Sequence, residues 1–445
     1  MKQYAEYRGF NDVWIDSIPA HWKTHKMKYL FNERSEKGYP DETLLVASQN
    51  MGVVPKNVYG NRTVEAQKDL HLLKLVKAGD FVISLRSFQG GLEYAYYQGI
   101  ISPAYTVLTP RIPITAGYFR YLAKSKLFIE LLTLCVTGIR EGQNVDYRKL
   151  RDHLLPVPSH TEQEQIVRYL DWQVSKINRL IAAKRKQIAL LREQIQQTIT
   201  DVVYHGVDQT VNYQPVKMLY VDKIPEHWEC KRGKFLFAEH DIRSTDGKEE
   251  LLSVSHITGV TPRSQKNITM FKAESLVNYK ICRKNDIAAN TMWMWQGAIA
   301  VSSYHGVISP SYNTYHQIDN AYDSAYLDYM LRSKPLVDEY YVRSTGIRKS
   351  RLRLYPEQLL DMFFPVPPVE EQKRIAAVIA EKTQAANDFI AAIEKQIEKI
   401  NEFRVRMISD VVTGQIDVRG IEVPEFEMVQ DTVEEQEAEE IMQET

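Results

Sequence analysis

The chain has 445 residues, of which 44% are apolar and 25% charged, a composition typical of a protein that folds around a core. Its three cysteines, Cys135, Cys230 and Cys282, lie far apart in the sequence, which excludes a CxxC zinc motif and argues against a disulfide framework. The N-terminus lacks an apolar signal core and no stretch approaches the roughly 18 apolar residues of a membrane span, so we expect a soluble, cytoplasmic protein that contacts no membrane.

The net charge of −1 is unevenly distributed along the chain. Ten acidic residues and no Lys or Arg fall within residues 421–445. With these ten acids set aside, 56 basic residues face 47 acidic ones, a net charge of +9 over residues 1–420. The body of the protein could therefore bind a polyanion. We expect the acidic tail, residues 416–445, to be disordered, and a partner-binding role is the alternative.

The first part of the chain predicts a mixture of strands and helices. Three short β-prone runs, bounded by Gly, Asn and Pro, occupy Leu44–Gln49, Asp80–Leu85 and Ile100–Leu108. The segment Tyr118–Cys135 has apolar residues at helical spacing and predicts one helix. We therefore assign this part to the α+β class.

From Thr161 to about Val203 the chain contains no Pro or Gly and predicts a long helix, with a capping-box spacing from Thr161 to Glu164. Its apolar residues step by three or four, and the one polar position in the series is Lys184. A helix of about 40 residues is roughly 60 Å long, and its apolar stripe cannot remain in water.

Most of these features recur after about 206 to 209 residues, which indicates an internal duplication. The repeated motifs are WIDSIPAHW (Trp14–Trp22) with YVDKIPEHW (Tyr220–Trp228), GIISPAY (Gly99–Tyr105) with GVISPSY (Gly306–Tyr312), TGIR (Thr137–Arg140) with TGIR (Thr345–Arg348), and PVPSHTEQEQI (Pro156–Ile166) with PVPPVEEQKRI (Pro365–Ile375). The segments between the motifs differ, as expected if one scaffold carries two recognition surfaces. Neutral drift of an old duplication is the alternative.

The second copy also predicts a helix near residues 326–341, in which Pro335 would kink or divide the helix, and a second long helix from Ile375 to about Val412. The apolar stripe of the second long helix is in phase with that of the first. We expect the two long helices to pair as an intramolecular antiparallel coiled coil with approximate two-fold symmetry. Two helices that pack separately are the alternative.

The ordered recurrence of IPxHW, TGIR, PVP and a long helix that begins with Glu-Gln resembles the specificity (S) subunit of type I restriction–modification enzymes. The resemblance covers about residues 12–415. It implies five regions: a first target recognition domain (1–158), a first long helix (159–206), a second target recognition domain (207–367), a second long helix (368–415) and an acidic tail (416–445).

This resemblance implies a non-catalytic subunit that reads a split site in double-stranded DNA. Each recognition domain would read one half-site. The helices would set the unread spacer and dock two methyltransferase (modification) subunits, to which motor–endonuclease (restriction) subunits are added. S-adenosylmethionine, ATP and Mg²⁺ are expected on those partners, and no cofactor is expected on this chain.

The sequence agrees with that expectation, because it contains none of the motifs that the catalytic partners need. We find no Asn/Asp-Pro-Pro-aromatic motif of adenine methyltransferases, no GxxxxGK[ST] phosphate loop and no His/Cys metal spacing. A stand-alone nuclease with a scattered acidic site is one alternative. A coiled-coil scaffold whose globular halves bind proteins is another.

DNA reading requires side chains that can fork onto base edges, chiefly Arg on guanine and Asn or Gln on adenine. Loops rich in such side chains follow the predicted strands, and we expect them to form the DNA face. In the first copy the candidates are Gln49, Asn50, Arg86, Ser87, Gln89, Arg140, Gln143, Asn144 and Arg148. In the second copy they are Ser255, His256, Asn290, Gln296, Arg348, Lys349, Arg351 and Arg353.

Some candidates belong to the repeated motifs, which favours a role that does not depend on base sequence. Arg140 and Arg348 lie within TGIR, so we expect them to hold phosphates or the scaffold. Trp22 and Trp228 end the IPxHW motifs and are expected in the core. Of Trp293 and Trp295, one is expected in the core and the other is available for stacking.

Overall fold

A computed structural model describes residues 2–49, 51–59, 69–111, 115–138, 144–266 and 275–429. The chain divides into two compact units: unit 1 comprises residues 1–185 and 394–445, and unit 2 comprises residues 186–393. Each unit mixes helices with antiparallel strands, so the α+β class predicted from the sequence agrees with the structure.

The strands of unit 1 form one four-stranded antiparallel sheet and several two-stranded ribbons. They are β1 (Tyr7–Gly9), β2 (Ser17–Pro19), β3 (Lys23–Lys26), β4 (Phe31–Arg34), β5 (Leu45–Ser48), β6 (Gly52–Pro55), β7 (Lys74–Val76), β8 (Phe81–Ile83), β9 (Glu93–Tyr94), β10 (Gly99–Ile101), β11 (Thr106–Pro110), β12 (Val136–Thr137), β13 (Asn144–Val145) and β14 (Leu154–Val157). The sheet has the order β4-β11-β8-β9, and the ribbons are β1-β2, β3-β14, β5-β6, β7-β10 and β12-β13.

The short helices of unit 1 are α1 (Met27–Leu30), α2 (Lys56–Tyr59), α3 (Ser87–Gly90), α4 (Ala116–Ala123), α5 (Lys126–Leu134) and α6 (Tyr147–Leu150), with a 3-10 turn at Leu70–Leu72. The single helix predicted over Tyr118–Cys135 is wrong, because the chain breaks at Lys124 and Ser125. Ser125 accepts a hydrogen bond from the Phe128 amide and so caps a new helix.

The first long helix, α7 (His160–His205), follows strand β14. Its start is fixed by Gln163, whose side-chain amide donates to the carbonyl of Pro158 at 2.9 Å. The predicted region was 159–206, but the boundary of the compact units falls inside this helix and not at its ends.

Unit 2 repeats the strand pairing of unit 1. Its strands are β15 (Tyr213–Pro215), β16 (Lys223–Pro225), β17 (Glu229–Arg232), β18 (Phe237–His240), β19 (Leu252–Ser255), β20 (Gly259–Pro262), β21 (Lys280–Cys282), β22 (Ile287–Ala289), β23 (Ile299–Val301), β24 (Gly306–Ile308), β25 (Asn313–Gln317) and β26 (Phe363–Val366). The sheet order β18-β25-β22-β23 and the ribbons β15-β16, β17-β26, β19-β20 and β21-β24 match their counterparts in unit 1. The duplication seen in the sequence is therefore also a duplication of topology.

The helices of unit 2 are α8 (Ser324–Leu331), α9 (Lys334–Arg343), α10 (Pro356–Leu360) and α11 (Val369–Val412), with 3-10 turns at Gly233–Phe235, Arg263–Gln265, Met294–Gln296 and Lys349–Arg351. Pro335 lies in the first turn of α9, so the predicted helix is divided there, as in unit 1. Helix α11 returns the chain to unit 1 and lies within the predicted region 368–415.

Within unit 1, the first half of α7 packs against the last part of α11. Lys184 Nζ donates to Gln396 Oε1 at 2.5 Å, and Arg404 donates to Asn178 Oδ1 at 2.9 Å. A step forward along α7 is thus a step backward along α11, so the two segments are antiparallel. In unit 2, Val203 of α7 and Ile375 of α11 belong to one buried core.

The C-terminal segment corrects the prediction of a tail disordered from residue 416. Val418 is fully buried in the core of unit 1, and Gln165 of α7 donates to the carbonyls of Val418 and Ile421. Asn178 donates to the carbonyl of Val429. Residues 416–429 are therefore packed against unit 1, because apolar side chains such as Val418 and Val423 enter its core. Residues 430–445 lie outside the described part of the chain.

Candidate nucleic-acid interface

The repeated IPxHW motif fastens each globular part to its long helix. In unit 1 the indole of Trp22 donates to Glu162 Oε1 of α7 at 3.0 Å. In unit 2 the indole of Trp228 donates to Glu371 Oε2 of α11 at 3.0 Å. In both units the preceding histidine also contacts the same carboxylate. Both tryptophans are 2% exposed and lie in the cores, as predicted, so the IPxHW and Glu-Gln motifs are complementary parts of one joint.

The repeated GxISPxY motif is explained by a close approach of two backbones. A Cβ atom at Gly99 would lie 2.2 Å from the Thr43 carbonyl oxygen, and a Cβ atom at Gly306 would lie 2.3 Å from that of Glu250. Only glycine fits at either position. The repeated motifs and the sheets that they hold form a shared frame of the two units.

Three predicted regions of unit 1 meet around helix α3. Gln49 is exposed at the tip of the β5-β6 hairpin, and its side chain lies on Gly90, where a Cβ atom would come within 2.6 Å of Gln49 Cδ. Arg86 and Gln89 are exposed at the start and end of α3. Helix α3 also packs against β13, whose first residue is Asn144. The fold therefore brings together side chains that are 95 positions apart in the sequence.

Two further candidates of unit 1 have contacts within the chain. Ser87 does not fit a base contact, because it is 1% exposed and its hydroxyl accepts from the Ser84 amide at 2.8 Å. Arg148 is exposed, but its guanidinium lies 3.3 Å from the Asp146 carboxylate. That carboxylate caps α6 and has a lowered pKa, first because it accepts from the Arg148 amide. Arg148 would have to exchange this partner to reach DNA.

The equivalent surface of unit 2 contains the β19-β20 hairpin and the 3-10 turn Met294–Gln296. Ser255 and His256 begin the hairpin tip, and Gln296 lies in the turn, each half-buried. Asn290 does not fit a base contact, because it is 4% exposed and donates to the Tyr312 hydroxyl at 2.9 Å. The Asn290 side chain supports the shared frame instead.

The most exposed candidates of unit 2 lie on the loop between α9 and α10. The amide and carbonyl groups of Thr345 and Arg353 form two 2.9 Å hydrogen bonds that close this loop. Arg348, Lys349 and Arg351 are exposed within it. Ile347 beside them is 97% exposed. A closed loop that presents three cations and one bare apolar side chain is well suited to a phosphate backbone and an adjoining groove.

Trp293 and Trp295 stack on each other with their ring centroids 6.0 Å apart, and both are half-buried, so the prediction that one of them lies in the core is wrong. Trp293 occupies the position that Arg86 has in the first copy, 207 residues earlier. The two units thus carry different side chains at equivalent points of their candidate surfaces. The candidates Asn50, Arg140 and Gln143 lie outside the described residues.

Sequence reasoning missed Lys124 and Arg332, which lie at the breaks between α4 and α5 and between α8 and α9. Both contact the tips of the candidate hairpins. The sequence did contain a signal for these two residues, because a cation followed by Ser-Lys recurs in the two copies, at residues 124–126 and 332–334.

Over the described ranges we find no group of three or more His, Cys, Asp or Glu side chains that could hold a metal ion. None of the helices in those ranges is both long and apolar enough to cross a membrane.

No family model matches the chain. It is 21% identical to the putative type I restriction enzyme MjaX specificity subunit of Methanocaldococcus jannaschii, over 94% of this chain and 99% of that protein. It is 26% identical to the type I restriction enzyme MjaVIII specificity subunit of the same organism, over 43% of each chain. These relatives confirm the resemblance that the sequence motifs indicated.

Among solved structures, the chain is similar to one from a study of the complex assembly and conformational transition of the type I R-M system, with a TM-score of 0.55 and 14% identity over 90% of this chain and 99% of the other. A crystal structure of the HsdS subunit from Thermoanaerobacter tengcongensis matches with a TM-score of 0.45 and 14% identity, over 90% and 98% of the two chains. The first of these likenesses supports a common fold.

Proposed function

We propose that this chain is the DNA-specificity subunit of a type I restriction–modification system. Each unit presents one recognition surface, and each surface reads one half of a bipartite, asymmetric site in double-stranded DNA. The chain performs no catalysis in this proposal. Adenine-N6 methylation, with its S-adenosylmethionine, belongs to methyltransferase subunits, and ATP- and Mg²⁺-dependent cleavage belongs to motor–endonuclease subunits.

The observation that carries the proposal is the repeated strand topology, with the same four-stranded sheet and four matching ribbons in each unit, combined with different side chains at equivalent points of the two candidate surfaces. Gln49 corresponds to His256, and Arg86 corresponds to Trp293. If the chain bound one symmetrical partner, the two surfaces would be expected to match. Two unlike surfaces on one frame favour a target with two unlike halves.

The long helices support the structural side of the proposal. The seam residues Ile166, Leu170 and Ile181 of α7 are buried, as are Met407 and Val411 of α11. We infer that α7 and α11 form an antiparallel coiled coil that fixes the unread spacer and docks two methyltransferase subunits. The antiparallel contacts within unit 1 are consistent with this arrangement.

The proposal is tested by expressing the chain with methyltransferase subunits from its host and sequencing the modified DNA. We expect N6-methyladenine at one two-part asymmetric sequence with a spacer of constant length. The pure chain, incubated with DNA, Mg²⁺ and S-adenosylmethionine, should neither cut nor methylate.

Cleavage or methyl transfer by the pure chain would replace the proposal with a stand-alone enzyme. DNA retention that stays weak and independent of sequence in the presence of the methyltransferase subunits would favour a protein-binding scaffold.

A further inference from the structure

The tip of the β5-β6 hairpin is held by a half-buried lysine, Lys124. Lys124 Nζ donates to the backbone carbonyl of Gln49 at 2.8 Å and to Glu93 Oε1 at 2.6 Å. The Glu93 side chain is 1% exposed and that of Lys124 is 26% exposed. Burial lowers the pKa of Lys124, and the adjacent Glu93 carboxylate opposes that shift. The ammonium group is therefore kept in a site where its charge is matched and its direction is fixed.

The tip of the β19-β20 hairpin is held in the same way by an arginine. One guanidinium nitrogen of Arg332 donates to the carbonyls of His256 at 3.1 Å and Ile257 at 2.7 Å. Its other terminal nitrogen lies 3.4 Å from Asp328 Oδ2. Asp328 in turn accepts from the Val301 amide at 2.9 Å, which ties the pair to strand β23.

These two contacts occupy equivalent places in the duplicated fold. Lys124 and Arg332 are 208 residues apart, and Gln49 and His256 are 207 apart. Each cation follows the last residue of a helix, α4 or α8, and precedes the serine of the helix break. The carboxylates that match the two cations come from different elements, strand β9 in unit 1 and helix α8 in unit 2. The contact to the hairpin is therefore the common feature.

Both cations bind backbone oxygens and not hairpin side chains. A carbonyl is present whatever the residue, so such a contact fixes the hairpin while leaving its side chains free to differ. That is what a reader needs, because a base contact requires a side chain whose anchor is held within a fraction of an ångström. Gln49 and His256 are different residue types, but the backbone carbonyl of each accepts a hydrogen bond from a cation at the equivalent helix break.

We propose that Lys124 and Arg332 are positioning residues that hold the base-reading hairpins of unit 1 and unit 2, an inference that rests on the proposed function. They act through the hairpin backbone and contribute to which half-site is accepted. Neither residue needs to touch DNA.

The test uses the full chain, first alone and then with its methyltransferase partners. Lys124→Met would leave Glu93 buried without this cation, so it is combined with Glu93→Gln, which removes the charge and keeps the shape. In hydrogen exchange of the chain alone, the amides of residues 45–49 and 51–54 should exchange about tenfold faster, while those of residues 252–261 remain unchanged. Arg332→Met with Asp328→Asn should give the reverse pattern.

With the partners present, methylation of a DNA library with randomised half-sites reports on reading. Lys124→Met with Glu93→Gln should lower discrimination at the half-site of unit 1 by about tenfold, the order of one base contact. The other half-site should be read as before. Lys124→Arg should retain wild-type discrimination, because unit 2 uses arginine at this place. Lys126→Met is the matched control, since this lysine is two residues away, at the start of α5, and its side chain is 69% exposed.

Faster exchange confined to the hairpin, together with a relaxed half-site, would support the inference. Unchanged exchange, faster exchange throughout unit 1, or a faster hairpin with unaltered discrimination would each overturn it. If the wild-type complex methylated without sequence preference, the proposed function would fail, and the reading role with it. The exchange measurement would still decide whether the cations hold the hairpins.

Discussion

The carboxylate of Glu162 contacts three side chains from the first 22 residues of the chain. Its carboxylate accepts from the Tyr4 hydroxyl at 2.7 Å and the Trp22 indole at 3.0 Å, and lies 2.9 Å from the His21 ring. The pKa of Tyr4 is raised, chiefly by burial and further by this hydrogen bond to a carboxylate. The side chain of Glu162 is 4% exposed, so water cannot take the place of these partners.

We predict that Glu162→Ala lowers the free energy of unfolding by about 2 to 3 kcal/mol, because buried donors lose a charged acceptor. Glu371→Ala in unit 2 should have a smaller effect, since that carboxylate is 13% exposed and its cost is partly recovered by water. Urea unfolding followed by tryptophan fluorescence measures both. Glu164→Ala is the control, because this side chain lies on the same helix but is 56% exposed. If Glu162→Ala and Glu164→Ala lowered the free energy of unfolding equally, Glu162 would not be the residue that joins the IPxHW motif to α7.

At the scale of elements, the loop between α9 and α10 offers a test of DNA contact that is independent of base sequence. The side chains of Arg348, Lys349 and Arg351 are exposed, so removing them leaves the core intact. We predict that replacing all three with Ala weakens DNA binding by a similar factor for cognate and non-cognate sequences. The slope of log K against log salt should become shallower by about 0.9 for each phosphate that the loop no longer neutralises.

Fluorescence anisotropy at several salt concentrations, with the methyltransferase partners bound, measures this slope. The matched control is Lys248→Ala, a lysine of the same unit that is 82% exposed and paired with Asp246. A slope unchanged by the triple substitution would remove this loop from the interface.

The elements differ in how far the sequence could define them. The long helices end within a few residues of their predicted limits, because Pro158 and Pro368 precede them and glycines follow them. The break at Lys124 and Ser125 was not predicted, since the apolar spacing continues across it and only the Ser125 cap reveals it. The dense acids of the tail predict disorder from residue 416, but Val418 and Val423 pack into the core of unit 1, and composition does not reveal the surface that receives them.

Sequence patterns also defined the candidate site only in part. A run of polar side chains after a strand selected the candidate loops, and the fold brings several of them together around α3. The pattern could not separate Ser87 and Asn290 from their exposed neighbours, because burial depends on what packs over a loop. It also passed over Lys124 and Arg332, whose contacts join segments about 75 residues apart in each copy.

At the scale of the whole molecule, the duplication keeps each recognition surface within one compact unit. Exchanging the segment from about residue 12 to 155 with that of a relative should therefore change one half-site and leave the other half-site and the spacer unaltered. The structure refines the second boundary. Strand β14 pairs with β3 along Leu154–Val157, so an exchange that ends at residue 155 divides this ribbon, and the exchange should extend to Pro158.

The refined chimaera keeps Glu162 in the recipient helix, so the incoming segment must supply the His-Trp pair that contacts it. Methylated-DNA sequencing of the chimaera with unchanged methyltransferase subunits should give the donor's first half-site, the recipient's second half-site and the recipient's spacer. Lengthening α7 and α11 together by a few residues, in an otherwise unchanged chain, should alter the spacer alone. If the exchange altered both half-sites, the two units would not be independent readers, and the split target would have to be recognised by a surface that both units share.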